Sequence, residues 1–195
     1  MARPAMTIPR LFLVAPEARA GNLAGCLIAA CTAGDVASLV VYPGNAAELT
    51  PLAQARGVAV LLAGDAASAL RLGCDGVHGD AASQSILDLR AAVGPDRIVG
   101  AYAGASRHVA MEAAEAGADY IAFAQNGASM GGVPLIAWWS GLAEIPCVAF
   151  DPVEPEVLDI LLPQTPDFIR PSDAMWDSAD EARRIVAALS QRLIP

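Results

Sequence analysis

No lysine occurs anywhere in this chain of 195 residues; its twelve cations are all arginines, at positions 3, 10, 19, 56, 71, 90, 97, 107, 170, 183, 184 and 192. Codon bias accounts for that skew most simply, because Lys and Arg do similar work on a solvated face. Whatever the cause, Schiff-base catalysis and a phosphate-binding Walker lysine are both excluded. Positive charge is scarce altogether, with 12 cations against 21 carboxylates and a net charge of -9. Phosphate backbones are bound by clustered Lys and Arg, and no basic stripe is visible, so nucleic acid is not an expected partner. Histidine is nearly missing too, with only His78 and His108 present. The four cysteines (Cys26, Cys31, Cys74 and Cys147) have no CxxC spacing and sit in apolar runs. Buried reduced thiols are expected rather than disulfides or a zinc site, which suits a cytoplasmic protein. The apolar runs are broken by Gly, Asp, Arg or Pro well before the ~20 residues that a membrane helix needs. The opening "MARPAMTIPR" lacks the long apolar core of a signal peptide, so no membrane association is expected.

What is present is a regular alternation. Short runs rich in Val, Ile, Leu and Phe recur at 10–16, 36–43, 58–64, 74–79, 97–104, 118–125, 145–152 and 167–173. Between them lie alanine-rich segments with helical character: 18–33, 46–56, 66–72, 83–93, 107–116, 133–142, 155–162 and 178–193. Gly34, Gly57, Gly73, Gly94 and Gly117 each follow such a segment, where a left-handed residue closes the last turn most cheaply. Eight strands alternating with eight helices predict an α/β fold, a single (β/α)8 TIM barrel over residues 1–195, with 1–9 as a flexible N-terminal segment. The near-continuous apolar runs fit strands buried on both faces. A doubly wound open sheet needs a Gly-rich phosphate loop after the first strand, and "LVAPEARAGN" has none.

In a barrel of this kind, function is read at the carboxyl ends of the strands. Those ends carry Glu17, Tyr42, Asp65, His78 with Asp80, Tyr102 with Ser106, Arg107 and His108, Gln125 with Asn126, Asp151, and Ser172 with Asp173. Asp65 and Asp80 close adjacent strands. Two such carboxylates suit Mg²⁺, which is held by one or two carboxylates plus waters and substrate phosphate oxygens. Asp65 also reads as the N-cap of the third helix, and the two roles are weighted about equally. His78 reads as an imidazole hydrogen-bonded within the barrel, ahead of a ligand or base.

The stretch "GVAVLLAGDAASALRLGCDGVHGD" resembles the core of the thiamine phosphate synthase (thiamine-phosphate pyrophosphorylase) and thiazole tautomerase superfamily, with its "DGVH" strand and nearby Asp. "RIVGAYAGASRHVAMEAAEAGADYIAF" and "LIAWWSGLAEIPCVAF" resemble its later segments, so the likeness runs from about Val36 to Pro195. The resemblance implies a transferase of thiamine biosynthesis that joins a pyrimidine pyrophosphate to a thiazole phosphate and expels pyrophosphate. It implies Mg²⁺ on Asp65 and Asp80, and phosphorylated pyrimidine and thiazole molecules as partners. The family's Arg-x-Lys after strand 2 is "VVYPGN" here, the Asn of its Asn-Asp is Gly64, its Thr-x-Thr-Lys loop is "AQNGASMGG", and its Gly-Gly turn after strand 7 is "FDPVEP". Two phosphorylated substrates need cations or amide donors, and Arg107 and Arg170 are the only arginines expected near the rim. Weak or absent synthase turnover is therefore expected.

The remaining candidates follow from the rim. His108, Arg107 and Tyr102 are the catalytic candidates, since a histidine in a similar Ser-x-His turn moves a proton in the tautomerases and imidazole has a suitable pKa. A solvent-touching histidine in the first helical turn is the equal alternative. Tyr42, Ser106, Gln125, Asn126, Arg170 and Ser172 are the substrate-binding candidates, with N-capping as the plainer role for Ser172. Trp138 and Trp139 read as outer-layer packing or a subunit contact, leaving a homodimer open; for Trp176, near the last helix, a lid over the pocket is an open alternative. Besides the synthase, a thiazole tautomerase-like isomerase using His108 and a non-catalytic barrel binding a thiamine-pathway ligand both remain.

Overall fold

The computed structural model describes residues 8–17, 21–124 and 132–193. The alternation closes on itself: β1 (Arg10–Val14), β2 (Val36–Val41), β3 (Ala59–Ala63), β4 (Gly76–Asp80), β5 (Ile98–Gly104), β6 (Tyr120–Phe123), β7 (Cys147–Val153) and β8 (Phe168–Pro171) form a closed parallel barrel in sequence order. The helices that return the chain are α1 (Leu23–Ala33), α2 (Pro43–Gln54), α3 (Ala66–Arg71), α4 (Ile86–Val93), α5 (Arg107–Glu115), α6 (Leu135–Leu142), α7 (Leu158–Leu161) and α8 (Ala179–Leu193). No helix among the described residues is long and apolar enough to cross a membrane.

Most strands are apolar on both sides because they have two interiors to fill. Leu11, Leu13, Leu39, Val41, Val60, Leu62, Val77, Val99 and Ile121 face outward and pack under the helices. Phe12, Val14, Val40, Leu61, Tyr120, Ala122 and Val148 face the lumen. Trp139 belongs to the outer layer, 1% exposed, with its ring against Phe123 and its Nε1 donating to the Ile145 carbonyl at 2.8 Å. Trp176 is buried in the same layer at 3% exposure rather than forming a lid.

Among the helix starts that differ from the expectation, two have a proline behind them. Helix α2 begins at Pro43, not near residue 46, because Pro is preorganised for the first helical position. The Asn45 side chain accepts from the Tyr42 backbone N–H at 2.9 Å there. Segment 155–162 forms only the four-residue α7 with a 3₁₀ turn on each side, since Pro155 and Pro163 interrupt the helical hydrogen bonding.

The amino-terminal end of the barrel is tied by a repeating device absent from the sequence reading. An aspartate stands immediately before each even strand: Asp35, Asp75, Asp119 and Asp167. Three of them take a backbone N–H of the preceding odd strand on a side-chain oxygen, Val60 to Asp75, Val99 to Asp119 and Cys147 to Asp167, each at 2.7 Å. The fourth, Asp35, pairs instead with the Arg10 guanidinium, at 2.7 and 2.8 Å. Charge at this end serves the closure of the sheet, which leaves the opposite end for chemistry.

Candidate active site

Strand register decides what faces the mouth. His78 pairs with Gly100, and Gly100 with Tyr120, so these residues form one row across β4, β5 and β6. The middle position has no side chain, and a Cβ there would lie 1.9 Å from the Tyr120 ring. The phenol therefore lies across Gly100 and meets His78 Nδ1 at 2.6 Å. Phe150 stacks on the imidazole, 5.1 Å between centroids and 18° between planes. Burial, reinforced by the positive charge of Arg170 and opposed by Asp80, pushes the His78 pKa down to about 4. At neutral pH the ring is an uncharged part of the lumen.

The next row up is Asp80, Tyr102 and Ala122. Burial first, then the charges of Asp151 and Asp80, raise the Tyr102 pKa, with Arg170 opposing. The hydroxyl is thus held protonated between carboxylates, and its ring lies 5.1 Å from Phe150. Strand β7 loses register between Ala149 and Val153, where Pro152 has no N–H to give the ladder. That irregularity leaves the Phe150 carbonyl to accept from Arg170 Nη1 at 3.3 Å.

Arg170 is the cation at the centre of this mouth. Its guanidinium lies 5.1 Å from the Phe150 centroid and its Nη2 donates to both Asp173 carboxylate oxygens at 2.7 and 3.0 Å. Its Nε is buried with no hydrogen-bond partner. Beside it opens a cavity of about 640 Å³ lined by Val14, Pro16 and Glu17 from the β1 end, Tyr42 from the β2 end, and Arg170, Asp173 and Asp177. Asn45 holds two walls together, accepting from Tyr42 and donating from Nδ2 to the Pro16 carbonyl at 3.0 Å. Among the described residues, an anion entering the cavity would meet one arginine and several carboxylates.

Asp65 and Asp80 stand at neighbouring strand ends, each two residues beyond a paired position, Ala63 with His78. Both are exposed. Asp65 caps α3, taking the Ser68 N–H at 2.7 Å, and that backbone bond holds its carboxyl below the usual carboxylate range. Asp80 takes the Ala82 N–H at 3.0 Å and the Ser83 hydroxyl at 3.1 Å. Among the described residues no group of three or more His, Cys, Asp or Glu side chains is placed to hold a metal ion. An all-protein cage is therefore not built here. Two exposed carboxylates at adjacent strand ends do fit a cation that takes its other ligands from water and substrate phosphate.

The comparisons with known proteins decide which barrel this is. The family described as Thiamine monophosphate synthase matches residues 42–164. The thiamine-phosphate synthase of Rhodospirillum centenum is 35% identical over 189 residues, covering 88% of this chain and 91% of that protein. The chain belongs to the thiamine monophosphate synthase family. The thiamine-phosphate synthase of Hyphomonas neptunium is 32% identical over 93% of this chain and 92% of its own length. The thiamine phosphate pyrophosphorylase of Pyrococcus furiosus shares the fold, with a TM-score of 0.76, 18% identity and coverage of 96% and 98%.

The synthase-family barrel distributes the sequence candidates unevenly. Tyr42, Tyr102, Arg170 and Asp80 come to the mouth. Arg107 turns away from the cavity: its Nη2 donates to the Val133 carbonyl at 3.0 Å, its guanidinium lies 4.8 Å from the Trp138 ring, and its Nε is buried without a partner. Ser106 caps α5 through Val109 N–H at 3.2 Å. Ser172 is buried, with its Oγ toward Ala174 N–H at 3.4 Å. His108 is 80% exposed on α5 with Nε2 3.3 Å from Glu112. Gln125 and Asn126 lie outside the described residues. Tyr120, Phe150 and Asn45 carry the site's architecture and were missed. A polar residue opening a short apolar strand, as Tyr120 does in "YIAF", is the signal that was available for the first of them.

Proposed function

We propose that the mouth around Arg170 joins hydroxymethylpyrimidine pyrophosphate to thiazole phosphate, releasing pyrophosphate, and does so slowly. The observation that carries this reading is Arg170 itself, a lumen cation with an unpaired buried Nε on the wall of a cavity large enough for a small ligand. The thiazole nitrogen gives its electron pair to the pyrimidine methylene carbon while the C–O bond electrons leave with pyrophosphate, so no proton is needed in the bond-making step. Positive charge grows on the methylene and ends on the thiazolium. The π faces of Phe150 and Tyr102 and the carboxylates of Asp80 and Asp151 surround the place where that charge grows, which is electrostatic stabilisation of the cation.

Arg170 binds a leaving-group oxygen by charge-assisted hydrogen bonds. Tyr42 and Tyr102 border the heterocycles. Asp65 and Asp80 would hold Mg²⁺, which supplies Lewis-acid neutralisation of the pyrophosphate. The slow rate follows from the charge inventory: among the described residues, one arginine lines a cavity that also presents Glu17, Asp173 and Asp177. Like charges oppose a phosphorylated ligand unless a cation intervenes.

The test is a coupled assay for pyrophosphate. Release should need both substrates and Mg²⁺ together, at a rate on the order of 1 s⁻¹ or below, the bottom of the ordinary enzyme range. Release with the pyrimidine substrate alone would sink the coupling reaction. The isomerase alternative rests on His108, and its exposed pairing with Glu112 gives that reading no support.

A further inference from the structure

The geometry points to Tyr120 as a positioning residue: its phenol, lying across Gly100, donates to His78 Nδ1 and fixes the imidazole as its Nε2–H tautomer, a neutral donor within the barrel lumen. This deepens the proposed synthase reading, since the donor would face the neutral pyrimidine ring rather than its phosphates.

The direction of the 2.6 Å contact follows from counting protons. A neutral imidazole carries one N–H and a phenol one O–H. If Nδ1–H donated to the phenol oxygen, the phenol hydrogen would need another acceptor, and among the described residues Tyr120 has no second partner for it. Leaving a donor unmade in a fully buried position costs more than the bond is worth. If the phenol donates instead, the O–H and Nδ1 are both satisfied, and the single remaining donor is Nε2–H. His78 keeps 8% of its surface accessible, so the ring is buried without being sealed.

The arrangement is built, not incidental. Three adjacent strands supply it in one register row, and the middle one gives up its side chain so that the phenol can reach. Phe150 stacks on the imidazole and carries the Arg170 guanidinium above its own ring. The imidazole plane is therefore set by contacts from β6 and β7, and the same Phe150 ties it to the anion-binding arginine. A fixed neutral N–H matches a heterocycle nitrogen acceptor, and it discriminates against analogues lacking that acceptor, because the donor would then be desolvated with no partner.

The experiment is long-range proton–nitrogen NMR of the imidazoles, of which the chain has two, joined to steady-state kinetics of the wild type and Tyr120→Phe. The wild type should show His78 as one neutral Nε2–H tautomer. Tyr120→Phe keeps the ring over Gly100 and removes the donor, so an Nδ1–H population should appear. KM for the pyrimidine substrate should rise about tenfold, the worth of one neutral hydrogen bond, with KM for the thiazole substrate unchanged. An Nδ1–H or mixed tautomer in the wild type overturns the proposal without any variant. A tautomer shift with both KM values unchanged also overturns it, leaving Tyr120 a purely structural residue. If the wild type does not turn over, the synthase reading fails on its own. The positioning claim is then judged by titrating unphosphorylated hydroxymethylpyrimidine: movement of the His78 Nε2 signal in the wild type, weakened in Tyr120→Phe, supports it, and no movement overturns it.

Discussion

At the scale of single residues, the site turns on how few charges are shared among many claims. Arg170 is held by Asp173 in the free protein, with 84% of the arginine side chain removed from water while the aspartate is more than half exposed. A substrate anion competes with that carboxylate. Asp173→Asn should therefore lower KM for the pyrophosphate substrate a few-fold, in line with the ~1 kcal/mol or less of a partly exposed ion pair; a higher KM would show that Asp173 orients the arginine instead. His78 gives a prediction of its own. Its folded pKa of about 4 lies below the unfolded value of 6.5, so the unfolded chain binds the proton first. Stability contributed by the neutral ring is complete above about pH 6.5 and is lost as pH falls toward 4, on the order of 3 kcal/mol. Urea midpoints between pH 7 and pH 4.5, without divalent cations, should fall for the wild type and fall less for His78→Gln. Equal slopes would contradict the buried neutral imidazole. The sequence made His78 conspicuous and placed it within the barrel. It could not show Tyr120 as the partner, because that contact spans 42 residues and depends on Gly100 being bare.

At the scale of elements, the two ends of the barrel are specialised by what stands at each strand terminus. The aspartates before β4, β6 and β8 each bond a backbone N–H of the neighbouring strand. Asp119 also pairs with Arg90, whose guanidinium reaches the Gly117 and Arg97 carbonyls as well. Asp119→Ala strands the Val99 N–H and removes a partner of Arg90, so it should cost about 2 kcal/mol, typical of a hydrogen bond to a charged group. Urea unfolding measures it, and pyrophosphate release under saturating substrates should stay unchanged, because this end is remote from the mouth. The strands themselves were legible because two buried faces force continuous apolar runs, as in "VASLVV" and "AVLLA". The helices were less so: "PGN" reads as a turn by residue type, whereas in the structure Pro43 takes the first helical position, with the Asn45 side chain accepting from the Tyr42 N–H and donating to the Pro16 carbonyl. The pairing of Asp65 with a capping role was visible from its place before α3, and the structure shows that capping bond.

For the whole molecule, a net charge of -9 surrounds a site that has to receive anions. Among the described residues, one arginine lining the cavity and two rim carboxylates make binding depend on a divalent cation more than on protein charge. The family was legible from "DGVH" and "GADY" at their separation, and its relatives extend over most of the chain. How Arg107 and Arg170 divide was not legible, since a count of rim arginines says nothing of which one a tryptophan or a phenylalanine holds. The central claim is that Arg170 is the protein's own anion contact in synthase chemistry. The measurement that tests it most directly is pyrophosphate release by the wild type and by Arg170→Met, which keeps the stem packed on Phe150 and removes the charge. With folding verified by an unchanged unfolding transition, the account predicts a loss of kcat/KM of about 10² or more. A variant that releases pyrophosphate as fast as the wild type would contradict it.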